Sequence, residues 1–247
     1  MADRTALVTG GTRGLGQAIA IRLHDAGHQV VVTHSLGNPN SDDWLATQKA
    51  LGRTFFAYPV DVADYQSCVD LAGRLAADGR IIDILVNNAG ITRDSTFRKM
   101  GLDDWNAVIR TNLDSMFYMT KPYTEGMAQR GWGRIINIAS INGQKGSFGQ
   151  ANYAAAKAGI HGFTMSLALE MARKGVTVNT ISPGYLATEM VMKVPREILE
   201  EKVISQIPLG RLGDPFEIAA LAAFMASDDA GFMTGANVAM NGGHHMQ

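Results

Sequence analysis

This chain predicts an α/β fold built on one doubly wound, Rossmann-type parallel sheet, and three observations carry that expectation. Short apolar runs without helical periodicity, as expected of strands buried on both faces, alternate with 3.6-periodic segments along the whole chain. A glycine-rich turn, Thr9-Gly10-Gly11-Thr12-Arg13-Gly14-Leu15-Gly16, stands between the first apolar run and the first helical pattern. That context of strand, turn and helix is what gives a glycine motif its meaning. Finally, the small and polar residues that stand out cluster just after the apolar runs. These are the carboxyl ends of parallel strands, where open α/β sheets hold ligands.

Composition sets the outer bounds. The 247 residues are 46% hydrophobic and 18% charged, enough for a sizeable core and unlike a disordered chain. No break or linker marks a second domain, so residues 1–247 are expected to form one unit of seven strands with helices on both faces. Lys plus Arg is 22 and Asp plus Glu is 23, a net charge of −1, which gives no electrostatic case for nucleic acid or an anionic membrane. One cysteine, Cys68, excludes an intramolecular disulfide framework and a thiolate-rich metal site. The expectation is a cytoplasmic protein without a secretion signal or a membrane span.

Thr5 to Val8 is the first strand, and Gln17 to Ala26, with Ile19, Leu23 and Ala26 in helical register, the first helix. Gly10, Thr12, Arg13, Gly14, Leu15 and Gly16 between them are candidate nucleotide-binding residues. Glycine lets the backbone approach a pyrophosphate, and the helix start presents free N–H groups to it. A second strand, Gln29 to Val32, ends near Thr33-His34-Ser35, where an adenosine ribose would lie, with neither the acid of NAD sites nor the arginine of NADP sites. Leu36 to Ser41, with Gly37, Asn38, Pro39 and Asn40, reads as a loop, and Asp42-Asp43 open a helix through Leu51 in the dipole-favoured first turn. Phe55 to Val60 is the third strand, ending at Asp61-Val62, and Asp64 is placed to cap a helix running to about Ala77.

Ile81 to Val86 is the fourth strand and delivers Asn87-Asn88-Ala89-Gly90, either a ligand-facing end or an ordinary turn. A polar loop from Ile91 to Leu102 precedes a long helix from about Asp103, with Asn112 near its middle. A mid-helix asparagine usually points outward or bonds locally. Arg134 to Ala139 is the fifth strand, with Ser140 at its end as a candidate oxygen-binding donor or simply a turn residue. A glycine-rich loop from Asn142 to Gln150 leads into the helix of Tyr153 and Lys157. These two lie at i and i+4, on one helical face. An ammonium close to a phenol favours phenolate, which makes such a tyrosine a candidate general acid, although an isolated pair can share a face by chance. Val176 to Ile181 is the sixth strand, ending in Ser182-Pro183-Gly184-Tyr185. The irregular stretch 186–212 reads as a mobile, partly helical insertion such as a substrate lid, Asp214-Pro215 as the start of a helix through Ala226, and Asn237 to Met240 as the seventh strand. His244-His245 completes no metal-ligand set, so no metal site is expected and the tail reads as flexible or packed at an interface.

Together the glycine turn, Asn87-Asn88-Ala89-Gly90, Asn112, Ser140, Tyr153 with Lys157, and Pro183-Gly184 resemble the short-chain dehydrogenase/reductase family over essentially the whole chain. Within that family, Gly90-Ile-Thr-Arg-Asp94, Phe97-Arg-Lys-Met100, Gly131-Trp-Gly-Arg134, Asn142-Gly-Gln-Lys-Gly146 and His161-Gly-Phe-Thr-Met165 are similar to the acetoacetyl-CoA reductases of polyhydroxybutyrate synthesis. The 3-oxoacyl-acyl-carrier-protein reductases are the sibling group.

The resemblance implies an NAD(P)H-dependent oxidoreductase that reduces acetoacetyl-CoA, or a similar 3-oxoacyl thioester, to the (R)-3-hydroxyacyl product in a homotetramer. It implies Tyr153 as acid, Ser140 as the donor to the carbonyl oxygen, Lys157 at the tyrosine and the nicotinamide ribose, and Asn112 holding a relay water. The cofactor would also meet Asn40, Asp61, Val62, Asn88, Ala89, Gly90, Pro183, Gly184 and Leu186. The substrate would meet Asp94, Ser147, Phe148, Gln150 and Tyr185, with Ser147 standing where relatives commonly carry glutamine. NADPH-using relatives imply an arginine pair after the second strand; this chain has Asn40-Ser41 followed by Asp42-Asp43, which argues for good use of NADH. For a carrier-protein partner, Arg130, Arg134, Arg173 and Lys174 are the candidate contacts. A third reading, a non-catalytic nucleotide sensor, is opposed by the presence of every catalytic residue type.

Overall fold

The computed structural model describes residues 4–246. Seven strands, β1 (Thr5–Val8), β2 (Gln29–His34), β3 (Phe55–Pro59), β4 (Ile82–Asn87), β5 (Gly133–Ile138), β6 (Val176–Pro183) and β7 (Asn237–Met240), form one sheet in the order β3-β2-β1-β4-β5-β6-β7. Every adjacent pair is parallel. Side chains alternate faces along a strand, and that alternation divides the interior into two cores. Ala6, Val8, Val30, Val32, Ile84, Val86, Ile136 and Ile138 pack under helices α1 (Gly14–Asp25) and α10 (Pro215–Ala226). Leu7, Val31, Leu85, Ile135 and Val178 face α3 (Tyr65–Ala77), α5 (Ser115–Arg130) and α7 (Ala151–Met171). Both faces bury apolar side chains, so these strands read as continuous apolar runs in the sequence.

Helix ends follow local chemistry. Asp64 accepts a hydrogen bond from Ser67 N–H at 2.7 Å and starts α3. Asp214 and Glu217 form a reciprocal capping box with Pro215 at the first helical position of α10. The remaining helices are α2 (Ser41–Ala50), α4 (Leu102–Ile109), α6 (Asn142–Lys145), α8 (Glu189–Met192) and α9 (Arg196–Lys202).

The structure differs from the sequence expectation at strand and helix ends and in two of the segments that follow strands. α1 begins at Gly14, three residues before Gln17. β2 runs to His34, β4 takes in Asn87, and β6 continues through Pro183, because the neighbouring strands extend far enough to pair with them. The segment from Asp103 is not one α-helix: Arg110–Asp114 forms a π-helical turn between α4 and α5. The glycine-rich loop contains α6, whereas the stretch 186–212 is partly helical as expected, with α8, α9 and a 3-10 turn, Ile204–Gln206.

Candidate active site

Strand β1 lies between β2 and β4, so the chain leaves it toward one side of the sheet first and the other side later. The crevice at such a switch point is the ligand site of an open α/β sheet. The glycine turn lies over it and is tied to both neighbours. Gly10 N–H donates to Thr33 Oγ1 at 3.3 Å and Gly11 N–H to Thr33 O at 3.0 Å. Thr9 Oγ1 accepts from the N–H groups of Asn88 and Ala89, both at 2.9 Å, and Asn88 Nδ2 donates back to Thr9 O at 2.9 Å.

The turn is open in one place and closed to side chains in another. Gly10 and Gly14 adopt left-handed φ values of 63° and 53°, and a Cβ on Gly14 would meet nothing within 4 Å. A Cβ on Gly16 would fall 2.3 Å from Gly10 O and 2.5 Å from Asn88 Nδ2. Leu15 and Gly16 lie in the first turn of α1, which begins at Gly14 and whose first N–H groups have no intrahelical partner. Thr9 was not among the residues expected at the site. Its hydroxyl holds Asn88 and Ala89 against the turn, and a threonine ending a buried strand just before a glycine run is the one signal for it.

On the ribose side, Asn38 organises the loop. Its Oδ1 accepts from Asn40 N–H at 3.2 Å, and its Nδ2 donates to Thr12 Oγ1 at 3.4 Å. Asn40 is exposed at the start of α2, with exposed Asp42 and Asp43 beyond it. Ser41 is buried, its Oγ donating to Asn38 O at 3.4 Å; it serves the loop's own structure, which removes it from the pair expected to face the ribose. Arg13 is exposed at the entry to α1, and Asp61 and Val62 follow the end of β3.

The catalytic candidates meet at the ends of β5 and β4. Lys157 is buried, and its Nζ donates to Ile138 O at 2.7 Å while lying 5.7 Å from the centre of the Tyr153 ring. Burial draws the lysine down to about 8. Tyr153 behaves otherwise than its spacing from Lys157 suggests. Burial pushes the phenol above its usual value, a hydrogen bond with Ser140 opposes this, and the Asp94 and Tyr185 charges add to the rise. Lys157 spends its reach on the carbonyl at the end of β5, so Ser140 is the group that lowers the phenol.

Ser140 Oγ accepts from Asn142 N–H at 3.2 Å, leaving its own proton for donation. Asn112 departs from the habit of mid-helix asparagines. It is fully buried in the π-helical turn, accepts from Ile91 N–H and donates to Ile91 O, both at 2.8 Å. A Cβ on Gly90 would lie 3.1 Å from Asn112 Oδ1 and 3.7 Å from Lys157 Nζ, which places all three together. π-helical turns of this kind recur at functional sites.

Of the substrate candidates, Asp94 and Gln150 come together: Gln150 Nε2 donates to Asp94 Oδ2 at 2.7 Å. Asn142 Nδ2 donates to Gln150 Oε1, also at 2.7 Å, which fixes the direction of that amide. Ser95 N–H to Gly149 O and Asn152 Nδ2 to Arg93 O, at 2.8 and 3.1 Å, hold the two segments side by side. Ser147 is partly buried, and Phe148 is 92% exposed with no part in the core. Pro183 O accepts from Ile141 N–H, Gly184 N–H donates to Met240 O, and Leu186 bridges to Gly213, where the two ends of the lid segment meet.

The tail expected to be flexible or packed at an interface instead packs within the chain: the His244 ring stacks on Tyr185, with centroids 5.7 Å apart. Among the described residues no group of three or more His, Cys, Asp or Glu is placed to hold a metal. The four basic residues proposed for a carrier protein lie at the other end of the sheet. Arg130 donates to Ile82 O at the start of β4, Arg134 is buried near the start of β5, and Arg173 and Lys174 precede the start of β6.

A glycine-turn nucleotide cradle and a Ser-Tyr-Lys-Asn group on one switch-point sheet define a nicotinamide-dependent oxidoreductase, and the chain belongs to the short-chain dehydrogenase/reductase family. Residues 10–245 match the family model described as enoyl-(acyl carrier protein) reductase. An acetoacetyl-CoA reductase of Cupriavidus necator is 52% identical over 246 residues, covering 100% of both chains. The 3-oxoacyl-[acyl-carrier-protein] reductase FabG of Pseudomonas aeruginosa is 43% identical over 98% of each chain. A crystal structure described as a gluconate dehydrogenase of Agrobacterium tumefaciens superposes with a TM-score of 0.93 at 32% identity, covering 98% of this chain and 95% of the other. Among the described residues no helix is long and apolar enough to cross a membrane.

Proposed function

We propose that this protein is an acetoacetyl-CoA reductase, acting on short 3-oxoacyl-CoA thioesters to give the (R)-3-hydroxyacyl product, in the cytoplasm and as a homotetramer. The observation that carries the reading is the meeting of Ser140, Tyr153, Lys157 and Asn112 beside the glycine cradle. High identity over full length to a curated acetoacetyl-CoA reductase supports the substrate.

Bound nicotinamide supplies the hydride; the chain supplies binding, orientation and the proton. Ser140, its oxygen already accepting from Asn142 N–H, donates toward the 3-oxo oxygen. Tyr153, kept protonated by burial, gives its proton to that oxygen as the C–H bond forms. Lys157, drawn to about 8, carries a proton near neutral pH and releases it readily toward the phenolate left behind. Asn112 has both amide atoms committed to Ile91, so in this arrangement it holds the loop after β4 in place beside Lys157. Gly10, Thr12, Arg13, Gly14, Leu15, Gly16, Asp61, Val62, Asn88, Ala89, Gly90, Pro183, Gly184 and Leu186 would line the cofactor. Asp94, Ser147, Phe148, Gln150 and Tyr185 would line the substrate, under the 186–212 lid of a single-domain chain.

The reading extends to cofactor choice. Asn40 offers no charge, and Asp42 and Asp43 lie just beyond it, so a 2′-phosphate gains little there and NADH is used well. Initial rates with acetoacetyl-CoA test both parts. Turnover is expected with NADH. A kcat/KM for NADPH more than about tenfold above that for NADH, roughly 1.4 kcal/mol, overturns the cofactor reading. A carrier-protein thioester preferred over acetoacetyl-CoA at matched concentration overturns the substrate reading in favour of the sibling activity. The position of Arg130, Arg134, Arg173 and Lys174 away from the site weighs against that sibling.

A further inference from the structure

The C-terminal turn is built for close contact with the lid. Asn241 Oδ1 accepts from Gly243 N–H at 3.0 Å, its Nδ2 donates to His245 O at 2.8 Å, and Leu209 N–H donates to Gly242 O at 3.1 Å. A Cβ on Gly242 would fall 2.8 Å from Ile207 Cγ2, so only glycine allows this approach. The turn presents His244 at a junction of three segments. One ring face stacks on Tyr185, just past the end of β6, with an interplanar angle of 28°. On its edge, Nε2 lies 2.7 Å from Lys145 Nζ of α6 and 3.3 Å from Gln206 Oε1 of the lid. An ammonium only donates, so the Lys145 contact takes Nε2 as a bare acceptor on a neutral ring, with the proton on the buried Nδ1, which has no partner among the described residues. Gln206 Oε1 then receives nothing from Nε2. Lys145 thereby meets no carboxylate in this contact, and its charge is not cancelled there.

We propose that His244 is a positioning residue for the substrate mouth: its neutral ring holds the Tyr185 phenol and the Lys145 ammonium side by side, a pairing that suits a thioester on a polyanionic carrier arm. This inference rests on the 3-oxoacyl-CoA reading and deepens it by naming what selects the phosphorylated arm. The ring also has a second set of partners. Once protonated, Nε2–H repels the ammonium and donates to Gln206 Oε1, which moves His244 from α6 to the lid. The groups acting on the imidazole are burial, Lys145 from α6 and His245 from its own turn, all holding it below the usual histidine range. Tyr185 adds its ring face, and the lid presents the uncharged Gln206.

The test compares wild type with His244→Phe, which keeps a ring for Tyr185 and removes Nε2. KM for acetoacetyl-CoA is expected to rise about five- to tenfold at pH 7.5, the worth of one hydrogen bond, with a smaller change in kcat. KM for S-acetoacetyl-pantetheine, which lacks the nucleotide phosphates, should rise less than about twofold. As pH falls through and below the usual histidine range, from 7.5 toward about 5, the wild-type KM for acetoacetyl-CoA should move toward that of the variant. Equal effects on the two substrates, or wild type and variant keeping the same KM ratio at both pH values, overturn the proposal.

A readout without substrate separates this outcome from failure of the reductase reading. Hydrogen exchange at 144–147 and 204–209 should be faster in His244→Phe than in wild type at pH 7.5, with the difference narrowing toward about pH 5 as the imidazole protonates. Identical exchange in the two proteins overturns the latch even if acetoacetyl-CoA is not turned over.

Discussion

Lys157 reaches Ile138 O with its Nζ, and burial alone draws its pKa from 10.5 to about 8. The sign of the pH dependence follows from that displacement. The unfolded chain binds the lysine proton up to about pH 10.5 and the folded chain loses it near 8, so folding gains stability as pH rises through that window. Replacing Lys157 by Met removes the burial cost, about 3 kcal/mol from the displacement, less about 1 kcal/mol for the hydrogen bond lost at Ile138 O. Denaturant unfolding should therefore find Lys157→Met more stable than wild type below pH 8, the gap narrowing toward pH 10.5, while reductase turnover collapses. A variant less stable than wild type at pH 7 would show that the contact with Ile138 O outweighs the burial. For Tyr153→Phe, loss of the proton donor should lower kcat by a factor on the order of 10² to 10⁴. Full activity in that variant would remove Tyr153 from the acid role.

Two elements carry the site, and each is sensitive in its own way. The turn entering α1 has no space for a side chain at Gly16, where a Cβ would sit 2.3 Å from Gly10 O. Backbone must move to admit one, so Gly16→Ala should weaken NADH binding, read by fluorescence titration, at least about tenfold, together with a loss of thermal stability. Gly14→Ala meets open space but requires φ of +53°, and should cost only about 1 kcal/mol. The π-helical turn Arg110–Asp114 is the second element, since it turns Asn112 inward against Ile91. At α10 the capping box adjoins Gly213, whose N–H donates to Tyr185 O. Asp214→Ala should lower stability by about 1 kcal/mol, read by denaturant unfolding.

At the scale of the molecule, the layers that cover the sheet leave apolar side chains exposed on both sides. Met165 and Leu169, one helical turn apart on α7, are 54% and 84% exposed, with Phe117 on α5 half exposed. On the side of α10, Phe216 and Phe224 are half exposed and Phe232 fully so. Two such faces suit the two interfaces of a symmetric tetramer. Light scattering after chromatography should give four chains for wild type and a smaller assembly for Met165→Glu with Leu169→Glu; a wild-type monomer would discard the tetramer.

The sheet, its helices and the residues at its strand ends were legible in the sequence because they obey local rules. Two-face burial makes strands read as apolar runs, glycines mark the turn that no side chain fits, and Asp64 and Asp214 announce their helices. What the sequence left open is where long or amide side chains point, since that depends on neighbours remote in the chain. Thr9 binding the end of β4, Asn38 reaching Thr12 of the glycine turn, Asn112 turned inward, and Lys157 reaching Ile138 while Ser140 meets Tyr153 were decided by tertiary packing. The same holds for His244, which reads as tail in the sequence and closes on Tyr185 only because the turn at Asn241 brings it there. Local pattern determines which residues reach the carboxyl edge of the sheet; the packing of distant segments against that edge determines which hydrogen bonds they make and what charge they carry.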